Sequence, residues 1–317
     1  MPGATAPAGE KLSAGPSFVA VTTPDIPAEV RAFAERGPAW AVFVDRLPRR
    51  LDGLLDEWSL RLDGEPMHGY CSLVVPVVAE DGTEAVLKVS FDGDTESEHE
   101  ALALQHWHGR GAVRLLRADP RRRALLLERL HTTDLSDLWD LEACEVVAGL
   151  WASLHVPALP QLRSVGSYVE RWVAALAGLP VNGPVPRRLV EQATSLAGDL
   201  LAEPDAAAHV VHGDLHYGNV LAADRAAWLA IDPKPMNGDR HYEVAPMLHN
   251  RLDELAGDVR EGLRRRFHTL VDAGGLDEDR ARAWVVVREV LNAHWGAQDE
   301  DRDAVTVALT IAKAVQD

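Results

Sequence analysis

Apolar residues follow two different rhythms along this chain, and the change of rhythm divides it. Over residues 26–58 the apolar positions, among them Ala32, Phe33, Val42, Phe43 and Val44, fit helical faces. Pro27 suits the opening turn of a helix, where its missing N–H would have had no partner. The period then shortens. Residues 71–79 form a Val-rich apolar run and residues 85–89 a second one, with Glu80-Asp81-Gly82-Thr83 between them. Two such runs joined by an Asp-Gly turn predict a β-hairpin. After a polar stretch over 92–97, residues 98–107 return to helical spacing, with Ala101, Leu102 and Leu104 on one face. Residues 112–117 and 123–130 are strand-like again, on either side of Asp119-Pro120-Arg121. The first third is expected to be a mostly antiparallel sheet with one inserted helix.

Beyond Leu130 the helical period dominates. Helices are predicted over 135–155, 165–177 and 186–202, separated by Pro157-Ala158-Leu159-Pro160 and Leu179-Pro180. A strand–loop–strand section over 209–232 interrupts them, and from about residue 251 the pattern is helical to the end. The fold class is therefore α+β, a small β-rich lobe followed by a larger helical one. The division reads as a flexible Pro/Gly/Ala/Ser-rich leader over 1–17, an N-terminal lobe over 18–130 and a C-terminal lobe over 131–317.

With 317 residues, 47% hydrophobic and 26% charged, the chain can bury two cores. Its formal net charge of −17 argues against nucleic acid and anionic membranes, and leans toward a cationic small-molecule partner. The clusters Arg121-Arg122-Arg123 and Arg264-Arg265-Arg266 then read as solvated faces. No stretch approaches the roughly 20 apolar residues of a membrane span. Cys71 and Cys144 form no metal or redox pair. The expectation is a cytoplasmic monomer.

The candidate chemistry lies in His212-Gly213-Asp214-Leu215-His216-Tyr217-Gly218-Asn219 and in Asp232, thirteen positions after Asn219. Phosphoryl transfer requires positioned reactants and cations to meet the charge on the transferring oxygens. An aspartate can orient an acceptor hydroxyl and take its proton. Mg²⁺ takes hard oxygen ligands, one or two of them from protein. Asp214 is read as the base, and Asn219 and Asp232 as metal ligands. An isolated Asp-x-x-x-x-Asn is more often a turn; the apolar runs around this one and the partner Asp232 favour chemistry. Lys88 sits inside the apolar run Val86-Leu87-Lys88-Val89 and needs an acidic partner, with Glu100 the natural choice and Glu98 the alternative. The loop at residues 64–72, including Tyr70 and Ser72, could cover nucleotide phosphates, although it is not a Walker A sequence. Backbone groups of Glu128 and Leu130 are expected at the edge of the nucleotide base. His212 and His216 are expected to buttress the loop rather than bind zinc. Arg288, Glu289, Asn292, His294 and Trp295 read either as the polar end of an amphipathic helix or as contacts for a guanidinium- or amine-bearing acceptor; Asp239 and Glu243 are comparable candidates.

HGDxHxGN followed by WLAIDPKPxxGD, together with GEPMHG, VLKV and LLLERL, resembles the aminoglycoside/hydroxyurea antibiotic kinases, and within them the streptomycin 6-phosphotransferases. The resemblance covers roughly residues 64–248. It implies a protein-kinase-like bilobal fold with ATP (or GTP) between the lobes and a Lys88–Glu100 ion pair. It also implies that Asp214 is catalytic, that Asn219 and Asp232 hold Mg²⁺, and that the acceptor is an antibiotic or related hydroxylated compound. The chain departs from the family's Gly-Asp-Pro-x-x-Asp, reading Gly238-Asp239-Arg240-His241-Tyr242-Glu243. Other readings are a kinase for a different metabolite and a catalytically silent kinase-like module; the retained catalytic set speaks against the second. A protein kinase is disfavoured because Pro-Lys-Pro follows Asp232 and no Ala-Pro-Glu is present.

Overall fold

A computed structural model describes residues 25–316, apart from 177, 179–182 and 256. The expected leader and the Leu179-Pro180 joint lie outside the described residues. A short helix α1 (Ala28–Arg31) and a 3₁₀ turn lead to α2 (Pro38–Glu57). The helical pattern read over 26–58 is interrupted at Gly37, whose φ of +136° no other residue type adopts readily. Then come β1 (Leu60–Leu62), β2 (Met67–His68), the predicted hairpin β3 (Ser72–Ala79) and β4 (Glu84–Ser90), helix α3 (Glu100–Trp107), β5 (Leu115–Asp119) and β6 (Ala124–Glu128). The strands form one antiparallel sheet in the order β1-β3-β4-β6-β5, with β2 on β3.

Strand alternation sorts the two faces of this sheet. Leu73, Val75, Val77, Leu87 and Val89 pack against Phe43, Leu47, Leu51, Leu54 and Leu55 of α2 in one buried cluster. Val74, Val86 and Lys88 therefore point the other way, into a cleft. The buried lysine is thus a consequence of register: Lys88 pairs with Val74 on one side and Leu125 on the other.

The rest of the chain is mainly helical, with α4 (Asp140–Leu154), α5 (Val165–Leu176) and α6 (Arg187–Ala202), then β7 (His209–Val211), β8 (Val220–Ala222), β9 (Trp228–Ala230) and β10 (Met236–Gly238). Helices α7 (Val259–Gly274), α8 (Glu278–Gln298) and α9 (Arg302–Ala314) follow. The helix expected over 135–155 starts only at Asp140, after a 3₁₀ turn at Leu135–Asp137. The lobes share a core: Leu104 and Trp107 of α3 and Leu125 and Leu127 of β6 lie in one cluster with Val147, Leu215 and Phe267. One charge expectation fails. Arg266 is fully buried, donating to Asp140 at 2.8 Å and to the Arg251 carbonyl at 3.0 Å, so it ties α7 to α4 instead of facing solvent. No helix among the described residues is long and apolar enough to cross a membrane.

Candidate active site

Two cavities lie on either side of a set of wall contacts, Lys234 with Asp232 at 3.3 Å and Asn219 with the Asp214 carbonyl at 2.8 Å. The first, of about 370 Å³, lies under the sheet and is lined by Ser72, Lys88, Glu100, Leu130, Asn219 and Asp232 among others. The Lys88 ammonium donates to both Glu100 oxygens at 2.8 Å and to Asp232 Oδ1 at 2.5 Å. Glu98 is exposed, so Glu100 is the partner. Burial alone would drive Lys88 toward its neutral form, but the carboxylates of Asp232 and Glu100 override it and hold its pKa above the usual lysine value. Burial likewise opposes the charge on Asp232, yet Lys88 and Lys234 hold its carboxyl well below the usual range. Asp232 also sits at φ +53°, a left-handed backbone uncommon for a non-glycine residue and frequent at functional sites.

The second cavity, of about 210 Å³, is lined by Gly213, Asp214, Lys234, Arg288, Asn292 and Trp295, with Glu96, Arg163 and Tyr168 at its wall. Asp214 stands on a loop fixed from several sides. β7 pairs with β10, and the Lys234 N–H donates to the His212 carbonyl at 2.8 Å. The buried Glu243 carboxylate accepts the N–H groups of Gly213 at 2.7 Å and His212 at 3.1 Å. Arg288 donates to the Gly213 carbonyl at 2.6 Å. Gly213 has φ +83°, and a methyl group there would overlap the Lys234 carbonyl oxygen. His212 is fully buried: its Nε2–H donates to the Ile231 carbonyl at 2.9 Å, and its Nδ1 accepts from Asp214 N at 3.3 Å. Burial lowers its pKa to about 3, so it stays neutral and holds that tautomer. Both histidines therefore brace the loop, His216 through Gly218 N at 3.2 Å. Burial pushes the Asp214 carboxyl up from its ordinary value, which suits a base.

Asn219 donates through Nδ2 to the Asp214 carbonyl at 2.8 Å, which fixes its amide orientation and leaves Oδ1 as an acceptor. That oxygen and the Asp232 carboxylate are a hard, two-donor set of the kind Mg²⁺ uses when phosphate and water complete its shell. The set fits a nucleotide-borne cation. Among the described residues, no group of three or more His, Cys, Asp and Glu side chains is placed to hold a metal by itself.

The structure separates the other candidates. Ser72 and Leu130 line the first cavity, and so does Glu128, whose N–H is taken by the Arg114 carbonyl at 3.0 Å and whose carboxylate pairs with Arg225 at 2.6 Å. Tyr70 does not line it; its ring is 81% exposed and carries the Arg36 guanidinium. Asn292 and Trp295 do line the second cavity, but Asp239, Glu243 and Glu289 do not. Asp239 is buried against Arg280 at 2.5 Å and Trp284 at 2.6 Å, and Glu289 against His249 at 2.8 Å. Each acid is consumed by an internal network, so the acidic acceptor site expected from the sequence is not formed by them. Lys234 and Tyr168 were not among the expected site residues. A lysine inside Asp-Pro-Lys-Pro was a usable signal; nothing local marks Tyr168, which α5 brings in from far upstream.

A sequence profile of the family described as aminoglycoside/hydroxyurea antibiotic resistance kinase matches residues 57–300. The streptomycin 6-kinase of Streptomyces glaucescens is 40% identical over 311 residues, spanning 94% of this chain and 98% of that one. The hydroxyurea phosphotransferase of Kitasatospora aureofaciens is 42% identical over 287 residues, spanning 87% and 81%. Among solved structures, a thermostable aminoglycoside phosphotransferase in ternary complex with ADP and hygromycin B superposes with a TM-score of 0.59 at 16% identity, covering 83% of this chain and 97% of that one. A choline/ethanolamine kinase family protein from Mesorhizobium loti gives 0.56 at 16%, covering 80% and 87%. At that identity the likeness speaks for the fold.

Proposed function

The chain belongs to the aminoglycoside/hydroxyurea antibiotic resistance kinase family, and on that premise we propose that it transfers the γ-phosphoryl group of ATP to a hydroxyl of a streptomycin-like aminoglycoside, protecting a cell against it. The observation that carries this reading is that the walls of the two cavities are joined by Lys234, which lines one and donates to Asp232, which lines the other. Asp232, bound to the Lys88–Glu100 pair, lies on the wall of one, and Asp214 lies on the wall of the other.

The nucleotide would occupy the first cavity, its phosphates toward Lys88 and its base toward Leu130. Glu100 holds the Lys88 ammonium from behind, so the cation is positioned before the phosphates arrive, which is where preorganisation contributes most. The acceptor hydroxyl would enter the second cavity beside Asp214. Asp214 accepts the hydroxyl proton, the acceptor oxygen bonds to the γ-phosphorus, and the bond from that phosphorus to the bridging oxygen breaks, leaving ADP. Mg²⁺, held by Asn219 and Asp232, supplies positive charge to the phosphate oxygens when bound. Such an enzyme would work in the cytoplasm, where ATP is available.

Hydroxyurea is a second reading, favoured by one observation. The acceptor cavity is small, and Arg163, Lys234 and Arg288 at its wall face only Glu96 and Asp214, which suits a small neutral acceptor. ADP release measured with Mg²⁺ and ATP against streptomycin, its aminoglycoside relatives and hydroxyurea tests both. Saturable turnover with streptomycin supports the first reading. Turnover with hydroxyurea alone replaces it with the second, and turnover with neither sinks both acceptor assignments.

A further inference from the structure

Two lysines share the Asp232 carboxylate, and they are not equivalent. Lys88 has Glu100 as well, bound through both oxygens at 2.8 Å. Lys234 reaches Asp232 Oδ1 and Oδ2 at 3.3 Å each, and among the described residues no other hydrogen-bond acceptor holds its ammonium. When Asp232 is engaged elsewhere, Lys88 stays anchored and Lys234 becomes available to another anion. The two also face different places. Lys88 lines the nucleotide cavity, whereas Lys234 lines the cavity that contains Asp214.

The backbone of Lys234 is tied to the catalytic loop. Its N–H donates to the His212 carbonyl at 2.8 Å, and its own carbonyl packs against the Cα of Gly213 so closely that only glycine fits. The side chain therefore starts from a point fixed relative to Asp214 and spans from the acceptor cavity to Asp232. Lys234 thus bridges the wall that carries Asp214 and the wall that carries Asp232. The remaining cations of the acceptor cavity are otherwise engaged: Arg288 donates to the Gly213 carbonyl at 2.6 Å, and Arg163 lies 5.0 Å from the Tyr168 ring.

We propose that Lys234 is a further catalytic residue of the transfer, its ammonium contacting the non-bridging oxygens of the γ-phosphoryl group between Asp232 and Asp214. The inference rests on the kinase reading and is independent of which acceptor is used. Lys234 forms and breaks no covalent bond. The acceptor oxygen attacks phosphorus, its proton goes to Asp214, ADP leaves with the bridging oxygen's electron pair, and Lys234 meets the negative charge carried by the group in transit.

The test is calorimetric binding of Mg²⁺ with ADP and with AMP-PNP to the wild type and to Lys234→Gln, whose polar side chain suits this partly hydrated position. Contact with the γ-phosphoryl group lowers AMP-PNP affinity about tenfold while ADP affinity stays within about threefold. In turnover, kcat falls about 100-fold or more with acceptor KM little changed, and ethylammonium partly restores the rate of Lys234→Ala. Equal weakening of ADP and AMP-PNP would overturn the proposal and reduce Lys234 to a counter-ion for Asp232. So would unchanged AMP-PNP affinity with kcat within threefold of wild type. If no aminoglycoside or hydroxyurea is turned over, the two nucleotide affinities still decide the case, so failure of the acceptor assignment is distinguishable from failure of this inference.

Discussion

Glu243 accepts the Gly213 N–H at 2.7 Å with a carboxyl group wholly removed from water, and Gly213 immediately precedes Asp214, the base of the proposed reaction. Burial, only partly offset by the Gly213 and His212 N–H groups and by Arg288, pushes its pKa up to about 7. The native chain thus binds a proton at Glu243 that the unfolded chain has already lost at about pH 4.5. This contribution to stability is full at low pH and is lost as pH rises through about 7. Glu243→Gln cannot titrate. The melting-temperature advantage of the wild type over Glu243→Gln should therefore shrink between pH 5 and pH 8. A difference that stays flat or grows would mean that Glu243 ionises normally in the native state.

Asp214→Asn should lower kcat by about 100- to 10,000-fold with nucleotide affinity unchanged, because the base does not hold the phosphates. The raised carboxyl has a second consequence. Activity needs the ionised form, so kcat should fall with decreasing pH along a limb whose midpoint lies above the ordinary aspartate value. A pH–rate profile flat through the acid range would remove Asp214 as the titrating base.

Lys88 and Glu100 form a buried pair, and removing one partner leaves the other charge without compensation. Lys88→Met should cost about 3 kcal/mol of stability, moderated because burial already favours protonation of Glu100. Adding Glu100→Gln should return part of the loss, a coupling that a double-mutant cycle in urea measures directly. Additive losses would mean the two side chains do not act as a pair.

Gly213→Ala should destabilise the chain by about 2 kcal/mol and slow turnover, since an L side chain at φ +83° is strained and meets the Lys234 carbonyl. Tyr70→Ala provides the contrast. Its ring is outside both cavities, so nucleotide KM should change less than twofold; a larger rise would place Tyr70 over the phosphates.

The elements that form the candidate site were legible because each left a local mark. The β3–β4 hairpin showed in two Val-rich runs around Asp-Gly, and Lys88 showed as a charge inside one of them. Asp214, Asn219 and Asp232 showed as a spaced polar set framed by apolar strands. The misreadings are of residues whose meaning is set at long range. Asp239 and Glu243 read as candidate acceptor contacts, but α8 brings Arg280, Trp284 and Arg288 against them and both are buried. Arg266 read as part of a solvated cluster because its partner Asp140 lies 126 positions away. The strands β1, β2 and β10 span only three, two and three residues, too short for a periodicity to appear.

The most direct test of the whole account is transfer of radiolabel from [γ-³²P]ATP to streptomycin by the purified protein with Mg²⁺, run beside Asp214→Asn. Label recovered on streptomycin with the wild type, and reduced at least 100-fold with the variant at equal nucleotide occupancy, is the predicted result. Undiminished labelling by Asp214→Asn would contradict the assigned chemistry, and absence of label with a wild type that binds ATP would contradict the acceptor.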